Sequence, residues 1–154
     1  MGEGEKRGRF SYWVMNVKPY RPIFVTYCSK NKKRDKGLMK AIERYDSGRM
    51  RQVRAAAESL GIGFRLLSGK YGLLAPDEKI AWYDHLLKWE GIGRVLPRVA
   101  KRLAREKVGA VVYFTRPLRK ASAPLAYHAL MEAACVENDI KLISIEIERG
   151  QEPD

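Results

Sequence analysis

The stretch LLSGKYGLLAPDEKIAWYDHLL, residues 66–87, carries the densest chemistry of the chain and anchors the prediction of its fold. It opens inside an apolar run, residues 64–67, that is typical of a short buried strand. Ser68 and Gly69 end the run, and Lys70 follows at once. Ligands of open α/β sheets bind at the carboxyl ends of the strands. We therefore expect Ser68 and Lys70 to lie at a ligand-binding edge of a sheet.

The second half of the stretch is expected to return polar groups to the same edge. Pro76, followed by two acidic residues, predicts the start of a helix, because proline suits the first turn and carboxylates suit its positive end. Tyr83 and Asp84 then arrive together. This spacing brings a phenol and a carboxylate back towards the ammonium group of Lys70.

Segments typical of strands alternate with segments typical of helices along most of the chain. The predicted strands are 23–27, 64–68, 109–115 and 141–147, and the predicted helices are 38–45, 49–60, 94–107 and 123–137. This alternation predicts an α/β protein with a three-layer, Rossmann-like fold. Its mainly parallel sheet of four or five strands carries helices on both faces, and the strand order stays open.

A length of 154 residues predicts one domain, 1–154, with a core large enough to fold unaided. Residues 1–9 and 148–154 are polar, and we expect both to be disordered tails. Residues 10–17, FSYWVMNV, have the aromatic and β-branched content of a further strand. The sequence leaves open whether that strand joins the sheet.

Local signals mark the ends of two of the predicted helices. Ser47 is a candidate N-cap of helix 49–60, and Gly61 stands at its expected C-terminal stop. Ser122 is a candidate N-cap of helix 123–137. The polar side of helix 49–60 carries residues that we expect to face solvent or a partner: Arg49, Arg51, Gln52 and Arg54.

The net charge is the strongest global feature, because thirty Lys and Arg residues face eighteen Asp and Glu residues and give +12. Such an excess favours polyanionic partners, nucleic acid or nucleotides, and the alternative is ordinary solvated charge. No apolar run reaches the roughly 20 residues that span a membrane, and the first ten residues lack the apolar core of a signal peptide. We therefore expect a cytoplasmic protein with no membrane partner.

Cysteine and histidine content argues against a metal site. Cys28, Cys135 and the two histidines are too few and too widely spaced for a disulfide framework or a zinc site. No glycine-rich phosphate loop or dinucleotide fingerprint follows a predicted strand. We expect reduced thiols, no metal and no cofactor.

Hydroxyl and cationic side chains follow three of the predicted strands. Because the carboxyl ends of parallel strands meet at one edge, we expect these side chains to converge on one rim. Hydroxyls, cations and backbone amides at such a place suit a phosphate or another anion. The alternative is a set of solvated basic turns. The predicted anion-binding residues are Ser29, Lys30, Lys32, Ser68, Arg116 and Arg119.

Helix 94–107 presents two contrasting faces. One face is apolar and is expected to cover the core, and the other carries cations of a single sign at Arg94, Arg98, Arg102 and Arg105. A basic stripe of this kind is a candidate nucleic-acid-binding face. An ordinary solvated helix face explains the same pattern.

Residues 68–84 contain the pattern S-G-K-Y-G-L-L-x-P-x-x-x-I-x-x-Y-D, and residues 28–32 are C-S-K-N-K. Together they resemble the signature of a small, mostly uncharacterised family of bacteria, archaea and phages. The longer pattern is also similar to that of the YaaA family of peroxide-stress proteins, which bind DNA. Tyr71 stands where the first family usually has histidine, and Asp84 stands where YaaA has arginine. The resemblance implies a DNA-binding protein.

Two functions of different classes fit these observations. The first is a nucleic-acid-binding protein, for DNA or RNA, with a basic cleft at the carboxyl ends of the strands and with Trp82 or Tyr83 stacking on bases. The second is an enzyme acting on a nucleotide or a nucleic-acid base, in which Asp84 is the general acid or base, Lys70 holds an anion and Tyr83 orients the substrate. A third interpretation gives these residues no chemistry: Lys70 and Asp84 form a buried ion pair, and Tyr83 belongs to the core.

Overall fold

The computed structural model describes residues 21–120 and 122–148. The predicted strand 10–17, the tail 1–9 and the tail 148–154 beyond Glu148 lie outside the described residues. A single 3₁₀ turn, Trp89–Gly91, leads into the third helix. The described strands and helices follow in the order β1 (Pro22–Tyr27), β2 (Met39–Lys40), α1 (Ala41–Arg44), α2 (Gly48–Leu60), β3 (Gly63–Ser68), β4 (Gly72–Leu74), β5 (Lys79–Ile80), α3 (Ile92–Arg105), β6 (Ala110–Thr115), α4 (Ala123–Glu137) and β7 (Lys141–Glu146).

Strand β1 lies at the centre of a five-stranded sheet with the order β4-β3-β1-β6-β7. It pairs in parallel with β3 and β6, and β7 extends the parallel part beyond β6. Strand β4 folds back on β3 as an antiparallel edge strand. Every residue of β1 after Pro22 is buried, as expected of a strand covered on both faces. The prediction of a three-layer α/β fold with a mainly parallel sheet is confirmed.

The connections place helices on both faces of this sheet. The chain travels from β1 to β3 through α2, crosses back past β1 to β6 through α3, and continues to β7 through α4. Right-handed crossovers in opposite directions put α2 on one face and α3 and α4 on the other. Helices α3 and α4 accordingly pack on each other, while α2 packs on β1 and β3. This reversal makes the gap between the carboxyl ends of β1 and β6 the switch point, where α/β proteins bind ligands.

The local signals at helix ends are borne out for α2 but not for α4. The Ser47 hydroxyl accepts a hydrogen bond from the Met50 amide at 3.3 Å, and Gly61 ends α2 with a φ of 67°. Helix α4 has the predicted bounds, yet the Ser122 hydroxyl donates to the Arg119 carbonyl oxygen at 2.6 Å and does not cap it. Ser122 therefore fixes the turn after β6, and its carbonyl oxygen accepts a hydrogen bond from the Leu125 amide at 3.2 Å.

The helix predicted to begin at Pro76 is wrong, because this segment pairs with the region around α1. The Pro76 and Glu78 carbonyl oxygens accept hydrogen bonds from the Ile42 and Ala41 amides at 3.0 and 2.7 Å. Strand β5 then pairs with β2 in antiparallel fashion. The same pairing shortens the predicted helix 38–45, so α1 begins only at Ala41. Backbone pairing across the chain has overridden the local helix signal in both segments.

Charged side chains tie the end of α3 to the sheet. Glu106 accepts hydrogen bonds from Arg102 Nε at 2.8 Å and from Arg65 Nε on β3 at 3.0 Å. Arg102 also pairs with Glu78 and donates to the Leu73 carbonyl oxygen at 2.9 Å. Burial alone favours the neutral form of Glu106, but the bonds from Arg102 and Arg65 outweigh it and lower the pKa of Glu106 below its usual 4.5.

Replacing Glu106 with glutamine is expected to destabilise the protein at neutral pH by about 1–2 kcal/mol, because charge-assisted hydrogen bonds are lost. A carboxylate whose pKa is lowered by folding contributes stability above its unfolded pKa, and the contribution disappears as the pH falls through the folded value. The difference between wild type and E106Q in urea unfolding should therefore shrink as the pH drops below 4.5.

The matched control is E58Q, which alters an exposed pair with Arg54. It is expected to change the free energy of unfolding by less than about 0.5 kcal/mol at every pH. A deficit in E106Q that stays constant down to strongly acidic pH would contradict an ionic origin of the effect.

Candidate functional site

A crevice of about 830 Å³ lies between the residues that follow β1 and those that follow β6. This is the switch point of the sheet, where the topology predicts a ligand. The cationic residues of its lining outnumber the acidic ones, so the crevice is basic. Its charged lining consists of the cations Lys30, Arg49, Arg51, Arg116 and Arg119 and of the carboxylates Asp46 and Glu148.

The amino ends of two helices open into the crevice. Ser47 and Gly48 at the start of α2 line one part, and Ala123 and Pro124 at the start of α4 line another. The first amides of a helix have no partner within the helix, and its dipole places partial positive charge there. Two such ends that enter from opposite faces of the sheet add to the attraction for an anion.

Arg49 is a buried cation in the lining of the crevice. Only 4% of the residue is exposed. Its guanidinium donates to the Tyr27 carbonyl oxygen at 2.8 Å and to the Thr26 hydroxyl, and it lies 3.9 Å from the centre of the Tyr27 ring. No carboxylate within residues 21–120 and 122–148 pairs with it. Burial lowers the pKa of Arg49, yet a guanidinium stays charged in proteins. The site therefore contains a desolvated positive charge that no carboxylate of the described residues pairs with.

Arg44 is a second buried guanidinium of this protein, and backbone carbonyl oxygens accept its hydrogen bonds, although its Nε has no partner among the described residues. It is fully buried, and backbone carbonyl groups surround it. The guanidinium donates hydrogen bonds of 2.7 to 3.2 Å to the carbonyl oxygens of four residues, Lys33, Asp35, Gly37 and Ile80. Among the described residues, one carbonyl oxygen and one hydroxyl oxygen accept hydrogen bonds from Arg49. Arg49 thus has fewer hydrogen-bond acceptors than Arg44 among the described residues.

A second cavity of about 390 Å³ adjoins the crevice, because Lys30 and Asn31 line both. We call it the Trp82 groove. Trp82 is 39% exposed, and the Arg34 guanidinium lies 5.0 Å from the centre of its ring. The groove thus places an accessible indole next to a run of cations. Proteins that bind single-stranded nucleic acids use this combination to stack bases and to contact the backbone. Its lining also contains Lys32, Lys33, Asp46, Tyr83 and Asp84.

The predicted anion-binding residues divide between these two cavities, apart from Ser68. Ser29, Lys30, Arg116 and Arg119 line the crevice, and Lys32 lines the Trp82 groove.

Ser68 is fully buried and lines neither of the two cavities. Its hydroxyl oxygen accepts hydrogen bonds from the amides of Lys70 and Tyr71 at 3.2 and 3.0 Å. Ser68 therefore shapes the turn that leads into β4, and its predicted role in anion binding does not fit this position.

Tyr83 belongs to the core and Asp84 to the surface. Only 4% of Tyr83 is exposed, and its hydroxyl is hydrogen-bonded to the Tyr45 hydroxyl and to Ser68 Oγ. Burial raises the pKa of Tyr83 far above its ordinary value, so the phenol stays protonated. Asp84 is exposed in the Trp82 groove. Lys70 is exposed as well, with its ammonium 5.5 Å from the centre of the Tyr83 ring, so the two charges do not form a buried ion pair.

The structure contains only part of the basic stripe that was predicted for α3. Arg94, Arg98 and Arg105 are exposed, but Arg102 is turned towards Glu78, Glu106 and the Leu73 carbonyl oxygen. Arg102 is therefore a structural residue, and three arginines remain on the open face.

The two buried arginines were not predicted from the sequence. Arg49 was expected on the solvent side of its helix, and Arg44 had no expected role. The only sequence signal for Arg49 is its position in the first turn of the helix that follows β1. No signal in the sequence distinguishes Arg44 from the surface cations around it.

These features define a three-layer α/β protein with a basic crevice at the switch point of its sheet. No protein-family model, curated protein or solved structure matches this chain. None of the helices within residues 21–120 and 122–148 combines the length and the apolar character that crossing a bilayer requires. In the same residues, no group of three or more His, Cys, Asp or Glu side chains is placed to hold a metal ion.

Proposed function

We propose that this protein binds nucleic acid, with phosphates held in the crevice and along the exposed arginines of α3, and with bases stacked in the Trp82 groove. Arg49 carries the proposal, because it is a buried charge in the lining of the crevice and has no carboxylate partner among the described residues. An uncompensated charge in a protein interior costs several kcal/mol. A bound phosphate supplies the missing counter-ion.

The surroundings of Arg49 favour a phosphate. The first amides of α2 and the exposed cations Lys30 and Arg119 are donors of the kind whose hydrogen bonds phosphate oxygens accept. The formal charge of +12 favours a polyanion over a single small ion. The resemblance of residues 68–84 to the YaaA family points in the same direction.

We propose binding and not catalysis, although Tyr83 and Asp84 both line the Trp82 groove. The Tyr83 hydroxyl is occupied by Tyr45 and Ser68 inside the core. Asp84 is exposed and Lys70 lies outside both cavities. A nucleic-acid-binding function predicts that replacing Asp84 alone has little effect on affinity.

The test is fluorescence anisotropy with short single- and double-stranded DNA and RNA across a salt series. We expect binding that weakens steeply with salt, since bound phosphates release counter-ions. The double variant K30A/R119A is expected to bind about tenfold more weakly. The plot of log affinity against log salt should become shallower, with the magnitude of its slope lower by about 0.7 for each phosphate of a single strand that the variant no longer neutralises. The triple variant R94A/R98A/R105A tests the second surface in the same way.

The matched control is K107A/K141A, which removes two exposed lysines next to the amino ends of β6 and β7, away from the crevice. It lowers the net charge by the same amount as K30A/R119A. Equal reductions of affinity in the two double variants would show that only total charge matters. Absence of binding at low salt to every nucleic acid tested would overturn the proposed function.

A further inference from the structure

We infer that the crevice takes the terminal phosphomonoester of a nucleic-acid strand and not a phosphodiester from its interior; this inference rests on the proposed function. Part of the positive charge of the crevice lies at its base and not at its rim. Tyr27, Cys28, Arg49 and Tyr127 all line it and are each less than a tenth exposed. They form its floor, whereas Lys30 and Arg119 are exposed at its mouth.

A phosphate reaches this floor only if it projects from the strand. An interior phosphodiester carries a nucleoside on each side, so it contacts surfaces along which the strand lies. The exposed arginines of α3 form such a surface. A terminal phosphomonoester carries one nucleoside and can enter end-on, with its three free oxygens directed towards Arg49 and the first amides of α2.

The charge of the crevice also matches a terminal phosphate. Its second ionisation has a pKa near 6, so the group carries a charge between about −1.5 and −2 at neutral pH. An interior phosphodiester carries a single negative charge. A lining with five cations and two carboxylates compensates the more highly charged group better.

The route away from the crevice suits the rest of the strand. Lys30, Asn31 and Asp46 belong to both cavities, so a strand whose terminal phosphate occupies the crevice can continue past Lys30 and Asn31 into the Trp82 groove. The exposed indole of Trp82 then meets one of the first bases. Stacking of this kind is strong enough to hold a base and does not depend on sequence. The two cavities together therefore fit the end of a single strand.

The experiment compares the full chain binding one short single-stranded oligonucleotide in three forms: with a 5′-phosphate, with a 3′-phosphate, and with hydroxyls at both ends. We expect one phosphorylated form to bind at least about tenfold more tightly than the hydroxyl form, and the two phosphorylated arms identify which end is held. The advantage should fall as the pH drops through about 6, where the second charge of the phosphate is lost.

The variants separate the inference from the function on which it rests. In R49M the advantage of the phosphorylated end should disappear, while binding of the hydroxyl form through the α3 arginines remains. Equal affinity of wild type for all three forms would overturn the inference and leave nucleic-acid binding standing. Absence of binding by any form at low salt would overturn both. If R49M does not fold, the wild-type comparison across the three forms still decides the question.

Discussion

Replacing Arg49 with methionine is expected to weaken binding of the end-phosphorylated oligonucleotide by about 100-fold, because truncating one partner of a desolvated, charge-assisted contact costs on the order of 2–5 kcal/mol. The same change should leave the free energy of unfolding unchanged or raise it by about 1 kcal/mol, because the desolvation cost of a buried charge with no carboxylate partner among the described residues outweighs the hydrogen bonds to the Tyr27 carbonyl oxygen and the Thr26 hydroxyl. Methionine keeps most of the packing on the Tyr27 ring. Binding is measured by anisotropy and stability by urea unfolding of the same preparation.

The opposite movement of affinity and stability is the diagnostic result. The control R51M alters a neighbouring exposed arginine that pairs with Asp46 at 3.6 Å, and it should lower affinity by less than about tenfold with little change in stability. A variant R49M that binds like wild type would show that the crevice is not the phosphate site. A loss of more than about 2 kcal/mol in stability would show that Arg49 is a structural residue, because it then behaves like a satisfied buried group.

Replacing Arg44 with methionine is expected to destabilise the protein by about 2–4 kcal/mol, because four backbone carbonyl oxygens lose their donor. The bond to Ile80 is buried, and the bonds to Lys33, Asp35 and Gly37 are partly buried. Each such oxygen costs on the order of 1–3 kcal/mol unless water reaches it. Urea unfolding of R44M against wild type measures the loss.

Two further variants make the Arg44 result specific. R54M removes a partly exposed arginine that pairs with Glu58 at 3.1 Å, and we expect it to cost less than about 1 kcal/mol. R44K keeps the charge but not the planar fork of donors, so it should recover only part of the loss. If R44M lowered the free energy of unfolding by less than about 1 kcal/mol, contacts other than those of Arg44 would hold the segment 33–37 in place.

These outcomes would show two different uses of the same side chain. Arg44 would contribute to stability through the chain's own carbonyl groups, and Arg49 would contribute to binding at some expense of stability. Natural proteins often place their least stable arrangements at functional sites.

The sequence predicted the parts of the fold whose stability is local or strongly patterned. Helix α4 has the predicted bounds, because its small apolar residues and Pro124 in its first turn all favour helix. The parallel strands were predicted as well, because strands buried on both faces are continuously apolar.

The predictions that failed depend on contacts between distant segments. Pro76 does not begin a helix, because amides near the start of α1 occupy its carbonyl oxygen and that of Glu78. Arg102 does not face solvent, because β4, an edge strand that was not predicted, brings the Leu73 carbonyl oxygen to it. Periodicity along one helix does not reveal what will pack beside it.

The candidate site was predicted in place but not in its central residue. The carboxyl ends of the strands bring Ser29, Lys30, Arg116 and Arg119 to one crevice, as topology requires. Arg49 was not recognised, since a cation in the first turn of a helix looks like surface charge until the strand end beside it is known. Burial distinguishes it, and burial is a property of the folded chain.

The buried charge of Arg49, which has no carboxylate partner among the described residues, also bears on the choice of buffer. On the proposed function, an anion that fits the crevice binds the folded chain and not the unfolded one, so it should raise the melting temperature by mass action. Phosphate or sulfate in a storage solution would then act as a weak ligand and mask part of the effect of a mutation at the crevice. Stabilities of crevice variants are comparable only when they are measured in the same concentration of the same anion.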